Sequence, residues 1–573
     1  MDLPGCFYLT RLRPLMGMDM KMATDRPALL CRKVWILLAA SAGVVAINVA
    51  GAQSGSWVTT RTRAHDVREA TFVREVAPEE PVSIVVALKI RDKEQLDSLV
   101  SELVSPNSSR FRQWLTHKDL VSRFAPTREQ AAAVASYLAQ AGFTDIEIGP
   151  NNLLVAAVGG GDVVRRSFNT EIARFQHNGH EGIANTRDAQ IPGALADITE
   201  SILGLQTVDE ARPMTVTTHS PVQFPAIYAA SRLPGAGNTV VGIITEGNMA
   251  QTIADLHQFE SLNGLPTLNP TVINVGGTSG DTSGTVEWDL DSQDIQGMAG
   301  GQVGGMTFYT AAALTDAALT ATYNRVVSDN LAKVINVSLG ICETTAHNDG
   351  SMAADDAIFE MAIAQGQTFS VASGDWGSKE CGSGRNGVSF GTVAGESYPA
   401  SSPYVIAVGA TTLSTNADGS YAGESAWTFS GGGPSLYEAK PSWQLSIVPG
   451  NTRGVPDVSF DGDPNSGAIF VFNGSQVSNG GTSLSSPLFV GSWARLESAH
   501  GNRLGFPAAL LYGFGARSPG SVFHDVTSGS NGDYSAVTGW DYVTGFGSLN
   551  VAGLDSALSG ESIGAVVTFL LHH

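Results

Sequence analysis

The stretch GGTSLSSP, Gly480 to Pro487, sets Ser483 behind a Gly-Thr pair, among small residues, with a proline four positions on. That is the pattern of a nucleophile mounted at the start of a helix, and it needs a base to take its proton. A Ser-His-Asp triad would supply a histidine, and from residue 219 onward the histidines are His219, His257, His347, His500, His524, His572 and His573. His219 falls in a Thr-rich linker, and the last two end the chain. His500 closes the helix that Ser483 opens, over roughly 20 Å away at about 1.5 Å of rise per residue. His257 sits on a helix in DLHQF, His347 in the turn TTAHNDG, and His524 beside Asp525 in a strand-like segment. None is followed by the Gly-Thr or Gly-His that would open a helix at a strand end, so each reads as structural.

The carboxylates are better placed. In GTVEWDLDSQDI, Glu287 and Asp291 are four apart and share one helix face, with Asp294 close to a further turn along. Close carboxylates share a proton, which raises one pKa and makes an acid or base that works in acidic solution. A solvated acidic helix face has the same spacing. An EF-hand calcium loop does not, since its glycine and terminal glutamate are missing.

The elements around these residues read as two folded parts. NTVVGIITEG (238 to 247), KVINVSLG (333 to 340), QTFSVASGD (367 to 375) and PYVIAVGAT (403 to 411) are near-continuous apolar runs with helical stretches such as DAIFEMAIAQG between them. Runs of that kind are strands buried on both faces of a parallel sheet, giving a doubly wound α/β domain over 223–556 whose site belongs at the carboxyl ends of its strands. Residues 80–205 read as an α+β unit. PVSIVVALKI is a strand, DKEQLDSLVSELVS a helix, and TREQAAAVASYLAQAGF a second helix opened by Thr127 and closed by Gly142. DIEIGPNNLLVAAVG and ARFQHNGHEGIANT add two or three strands. Residues 53–79 read as a linker. Residues 206–222, with Pro213 and Pro221 and no hydrophobic period, read as an exposed linker open to processing.

Arg32 and Lys33 precede VWILLAASAGVVAINVA, which ends in Ala50-Gly51-Ala52. A basic stretch, an apolar run and an A-x-A exit make residues 1–52 a secretory signal cut after Ala52, with no stable membrane anchor. An uncleaved anchor is the alternative, and the run is at the short end of spanning length. Cys6 and Cys31 would leave with that segment, so Cys342 and Cys381 remain as a disulfide closing a loop of about 40 residues, or less simply as part of a Cys-His metal site. From residue 219 onward 10 Lys and Arg face 30 Asp and Glu, while residues 1 to 218 are nearly balanced at 23 against 24. So acidic a surface argues against nucleic acid as a partner and suits work at low pH. The expectation is that basic residues of the 80–205 unit pair with the acidic domain and let go as carboxylates protonate.

The G-T-S-x-S-x-P serine, the Glu-x-x-x-Asp helix upstream and the Ser-Gly-Asp of SVASGDWGS together resemble the sedolisin family of serine-carboxyl peptidases over residues 80 to about 550. The resemblance implies a subtilisin-like fold preceded by an α+β, ferredoxin-like propeptide that acts as an intramolecular inhibitor. It implies Ser483 as nucleophile, Glu287 as general base, Asp291 as the residue that orients and shares a proton with Glu287, and Asp375 as the oxyanion-hole residue. VSLG (337 to 340) resembles the strand that pairs with an extended substrate, and SGGGPS (430 to 435) the family's glycine-rich segment. Trp288, beside the base, either lines a specificity pocket or packs. HDVTSGSNGDYSAVTGWDYVTGFGS resembles the family's site for one structural Ca2+, with side chains from Asp525 and Asp541 and carbonyls from Val526, Val537 and Gly539. The family usually has glycine at the Val537 position, which matters only if the backbone there needs a positive φ. The expectation is a secreted, acid-acting endopeptidase, made as an inactive precursor and working as a monomer on protein or peptide substrates. The alternatives are a conventional serine hydrolase or an inactive binding protein on the same fold. Residues 557–573 read as a tail.

Overall fold

The structure is a computed structural model, which describes residues 56–68, 70–105, 108–177, 180–208, 218–382, 384, 386–416 and 418–560. The expected signal segment with its cleavage point, residues 209–217 of the processing linker and residues 561–573 lie outside the described residues.

The amino-terminal unit is built on an antiparallel sheet of β1 (Pro81–Leu88), β2 (Thr144–Ile148), β3 (Leu154–Gly160) and β4 (Thr199–Leu203), in the order β2-β3-β1-β4. Its helices include α1 (Lys93–Val104) and α2 (Arg128–Ala141). Thr127 and Gln130 form a capping box at the start of α2, and Gly142 ends it in the left-handed conformation, as the sequence predicts. Val82, Ile84, Val86, Val134 and Leu138 form this unit's own core. The opposite sheet face and α1, through Val85, Ala87, Leu96, Leu99 and Leu103, merge with the core of the larger domain.

Two stretches expected to be linkers are structured. Trp57–Thr59 and Thr71–Glu75 are strands, paired with Gln190–Pro192 and Ile172–His177. Every residue in both is exposed, so no apolar alternation betrays them. At the ends of the 206–222 segment, Gln206 and Val208 are buried, and Thr218–His219 pairs in parallel with the strand Gly467–Phe472. A final helix, Val551–Gly560, carries the fold past the expected boundary at 556.

The larger domain holds β5 (Ala236–Glu246), β6 (Thr271–Val275), β7 (Val303–Ala311), β8 (Val334–Val337), β9 (Thr368–Ala372), β10 (Ile406–Thr415) and β11 (Tyr421–Ala426), in the order β6-β7-β5-β8-β9-β10-β11. All neighbours are parallel except β10 and β11. The four apolar runs read from the sequence are β5, β8, β9 and β10, adjacent at the centre of the sheet, where burial on both faces requires such runs. Helices α3 (Thr285–Met298) and α5 (Thr482–Ala499) pack on the sheet, and α4 (Ser351–Ala364) receives α1 and β4 of the amino-terminal unit.

Across that boundary Lys93 Nζ lies 2.9 Å from the fully buried Glu360. Arg112 faces Glu497 across the same boundary, so the expected pairing of basic residues with the acidic domain is present in part. Arg61, Arg63, Arg68, Arg74, Arg165 and Arg174 make ion pairs with carboxylates of their own unit. Amides bridge the boundary as well, with Asn151 and Asn324 exchanging hydrogen bonds and Gln206 donating to Asp316. A cavity of about 760 Å³ follows the same boundary past Lys89, Lys93, Glu360 and Tyr404, and none of Ser483, Glu287, Asp291 and Asp375 lines it.

Candidate active site

Two helices and one strand end meet at the carboxyl edge of the sheet. Helices α3 and α5 approach so closely that a Cβ at Gly491 would lie 2.7 Å from that of Met298. Pro487, inside α5, has no N–H to give the carbonyl four residues back, which is that of Ser483. After β9 the chain turns at Gly374 (φ 116°), where a Cβ would come within 2.2 Å of the Glu380 carboxyl carbon. That turn delivers Asp375 to the start of α5.

Ser483, Glu287, Asp291 and Asp375 are all closed off from solvent, none more than 1% exposed. The Asp375 Oδ1 accepts the Thr482 backbone N–H and the Thr482 hydroxyl, each at 2.8 Å, while Oδ2 is buried with no hydrogen bond. Burial raises the Asp375 pKa to about 7 against the lowering effect of those two donors. Asp291 Oδ1 accepts the Ser338 hydroxyl at 2.6 Å, and that hydroxyl is 3.4 Å from the Ser483 carbonyl. Burial holds the Asp291 carboxyl well above the ordinary carboxylate range, with the Ser338 and Asn336 hydrogen bonds opposing. Asp375 thus reaches Thr482 directly and Asp291 is linked to Ser483 through Ser338, while Glu287 lies one turn before Asp291 on α3. The Ser483 hydroxyl is buried and makes no hydrogen bond.

The histidines are occupied elsewhere. His257 contacts the Leu268 carbonyl, His500 pairs with Asp555, His347 stacks on Tyr437 and His524 on Tyr421, while His219 packs edge-on to Phe224. Trp288 packs rather than lining an open pocket, since it is buried and its indole N–H donates to the Glu246 carbonyl. The glycine-rich segment is held in place. Gly431 N–H donates to the Gly374 carbonyl, and Asn531 donates to the carbonyls of Ser430 and Gly432. Cys342 and Cys381 form the expected disulfide. Further buried acids surround the centre. Asp294 keeps both oxygens without a hydrogen bond, and Asp289 is pushed up to about 9 by burial and by Asp255. The run EWDLDSQD shows their number but not that all of them face inward, because α3 is buried on every side.

Around residues 525–544 two carboxylates converge on one turn. Asp525 accepts the Gly539 N–H with both oxygens, and Asp541 accepts N–H groups from Val537, Val543 and Thr544. No ion pair reaches either acid among the described residues. Val537 is absent from the positive-φ residues, so its side chain is compatible with the turn. Two carboxylates on one turn offer oxygen donors of the kind Ca2+ takes, and the main-chain groups seen against them are N–H donors.

Comparison with known proteins gives this arrangement a context. Residues 68–208 match the pro-kumamolisin activation domain and residues 238–510 the subtilase family. Sedolisin from Pseudomonas sp. (strain 101) is 44% identical over 590 residues, spanning 95% of this chain and 100% of that protein. The chain belongs to the sedolisin family. Within the family, xanthomonalisin from Xanthomonas sp. (strain T-22) is 44% identical over 85% of this chain and 67% of that protein. Kumamolisin from Bacillus sp. (strain MN-32) is 30% identical over 68% and 75% respectively. The structure of Pseudomonas sedolisin, a serine-carboxyl proteinase complexed with two molecules of pseudo-iodotyrostatin, superposes with a TM-score of 0.58 at 49% identity. It covers 61% of this chain and 99% of its own. This sedolisin-family chain is thus a serine-type peptidase of subtilisin-like fold, carrying its activation prosegment as a zymogen does.

Proposed function

We propose that this zymogen matures into a secreted, acid-acting endopeptidase in which Ser483 is the nucleophile, Glu287 the base, Asp291 its proton-sharing partner and Asp375 the oxyanion donor. Ser483 Oγ attacks the scissile carbonyl as an ionised Glu287 takes its proton. The oxyanion that forms accepts a hydrogen bond from protonated Asp375. Breakdown of the adduct returns the proton from Glu287 to the leaving amine, and water then hydrolyses the acyl-enzyme by the same steps. The observation that supports this most is Asp375 itself. Oδ1 is used by Thr482, so the acid proton belongs on Oδ2, and with a pKa near 7 the group is a donor throughout mildly acidic solution. A histidine-based hydrolase is disfavoured by the structural partners that each described histidine of this domain already has.

Asp525 and Asp541, with the carbonyls of Val526, Val537 and Gly539, would hold one Ca2+. Bound there, the ion supplies structural cross-linking of the 525–544 segment and no step of the reaction. The prosegment is the inhibitor, and export follows from the signal read in residues 1–52.

The test is incubation of purified precursor at about pH 4 and about pH 7, on either side of ordinary carboxylate titration. A fragment beginning between residues 206 and 222 is expected at the lower pH only, and not with Ser483→Ala. Equal formation at both, or formation by the variant, would refute autocatalytic acid activation.

A further inference from the structure

Asp291 is held by more than its nearest donor. Asn336 Nδ2 donates to Ser338 Oγ at 2.9 Å, so the Ser338 hydroxyl proton is directed at Asp291 Oδ1. The Asn336 amide is oriented in turn, because its Oδ1 accepts the Ser486 hydroxyl at 2.7 Å. The Ser486 hydroxyl meets that of Ser370 at 2.8 Å. Each of these side chains is buried, at most 1% exposed. The four come from three places, namely β9 (Ser370), β8 and the residue after it (Asn336, Ser338), and α5 (Ser486, three residues beyond Ser483).

We infer that Ser338, aligned by Asn336 and Ser486, is a positioning residue that fixes Asp291 and sets it in register with the helix carrying Ser483. The inference rests on the roles assigned above to Glu287 and Asp291. A carboxylic acid accepts through its carbonyl oxygen better than through its hydroxyl oxygen. With Oδ1 occupied by Ser338, Oδ2 is the oxygen left to carry the proton shared with Glu287. The same Ser338 hydroxyl lies 3.4 Å from the Ser483 carbonyl that Pro487 leaves without its helical N–H, so one side chain touches both catalytic helices. The groups facing Asp291 are Ser338, Asn336 and the carboxylates Asp294 and Glu287 on its own helix. The donors stabilise its charged form and Asp294 opposes it.

The experiment is the pH profile of kcat/KM, with separate kcat and KM, for the acid-processed protein and its Ser338→Ala, Ser338→Thr, Ser486→Ala and Glu287→Gln variants. Ser338→Ala removes a donor to Asp291 and should move the acidic limb up by about half a unit to one unit, as one lost hydrogen bond implies. It should lower kcat about tenfold with KM little changed. Ser338→Thr restores the limb, and Ser486→Ala moves it in the same direction by less. An unmoved limb in Ser338→Ala, with only a lower melting temperature, overturns the inference. Activity retained by Glu287→Gln overturns instead the reading on which it rests. For any variant that does not process itself, the profile is read after the parent enzyme has cleaved it.

Discussion

The prosegment and the catalytic domain treat their carboxylates in opposite ways. In the prosegment, acids sit at the surface beside arginines. Glu80 is gripped by Arg74 at 2.7 Å and Arg174 at 2.6 Å and lowered to about 2, and Asp66 is lowered by Arg68. In the catalytic domain, Asp289, Asp294, Asp375, Glu380 and Asp461 are buried without an arginine and raised by desolvation, with Arg453–Asp457 a paired exception. Acid therefore acts on the two parts with opposite sign. The prosegment's ion-pair contributions are present above the unfolded value of about 4 and are lost as pH falls towards the lowered values. The catalytic domain's raised acids keep in the fold protons that the unfolded chain gives up above about pH 4, so its stability declines as pH rises. Below about pH 4 the prosegment's ion pairs therefore weaken, while the catalytic domain gains stability as pH falls towards 4.

The largest effect should come from the carboxylate base. Glu287→Gln should reduce peptide hydrolysis by about 10³-fold or more and abolish self-processing, while the variant keeps its fold by circular dichroism. Asp375→Ala should cost about 10² to 10³-fold in kcat, as loss of an oxyanion donor does. Thr482→Val should be milder. Removing the hydroxyl donor raises the Asp375 pKa, so the neutral limb of activity moves up by about half a unit to one unit even as the maximum falls.

Stability should then separate the two parts. Thermal melts of the processed enzyme should give a higher melting temperature near pH 4 than near pH 7, across the window between the unfolded carboxylate value and the raised values of about 7 and 9 for Asp375 and Asp289. A flat or inverted dependence would remove the comparison. Adding EDTA or making Asp541→Asn should lower that melting temperature without altering the pH limbs, measured by scanning calorimetry with and without Ca2+. The smallest effect belongs to Glu80→Gln, a surface pair worth well under about 1 kcal/mol. It should make processing slightly faster at pH 5, with the difference shrinking as pH falls towards about 2, followed by gel densitometry.

How much of this the sequence carries depends on where the signal lies. The central strands were legible because burial on both faces writes itself as an unbroken apolar run, and α2 because Thr127 and Gly142 mark its ends. The edge strands Trp57–Thr59 and Thr71–Glu75 were not, since exposed residues have no period to read. For the candidate site, Ser483 is proposed from its motif, Glu287 and Asp291 from their spacing, and the roles of all four, Asp375 included, from the family resemblance. In the sequence Ser338 stands out only as part of a backbone strand, VSLG. Its side chain matters through partners up to about 150 residues away, and no local pattern joins Asn336 to Ser486. Local periodicity likewise cannot distinguish an acidic surface helix from α3, whose acids are all enclosed.

The most direct test of the central claim is the pH dependence of kcat/KM for the processed enzyme on one peptide, from about pH 3 to about pH 9, a range that spans carboxylate and histidine titration. A carboxylate base with a protonated Asp375 predicts activity highest on the acid side, falling through about pH 7 as Asp375 ionises and lost at higher pH. Activity that rises through pH 6 to 7 and holds a plateau above it would be that of a histidine base and would contradict the account.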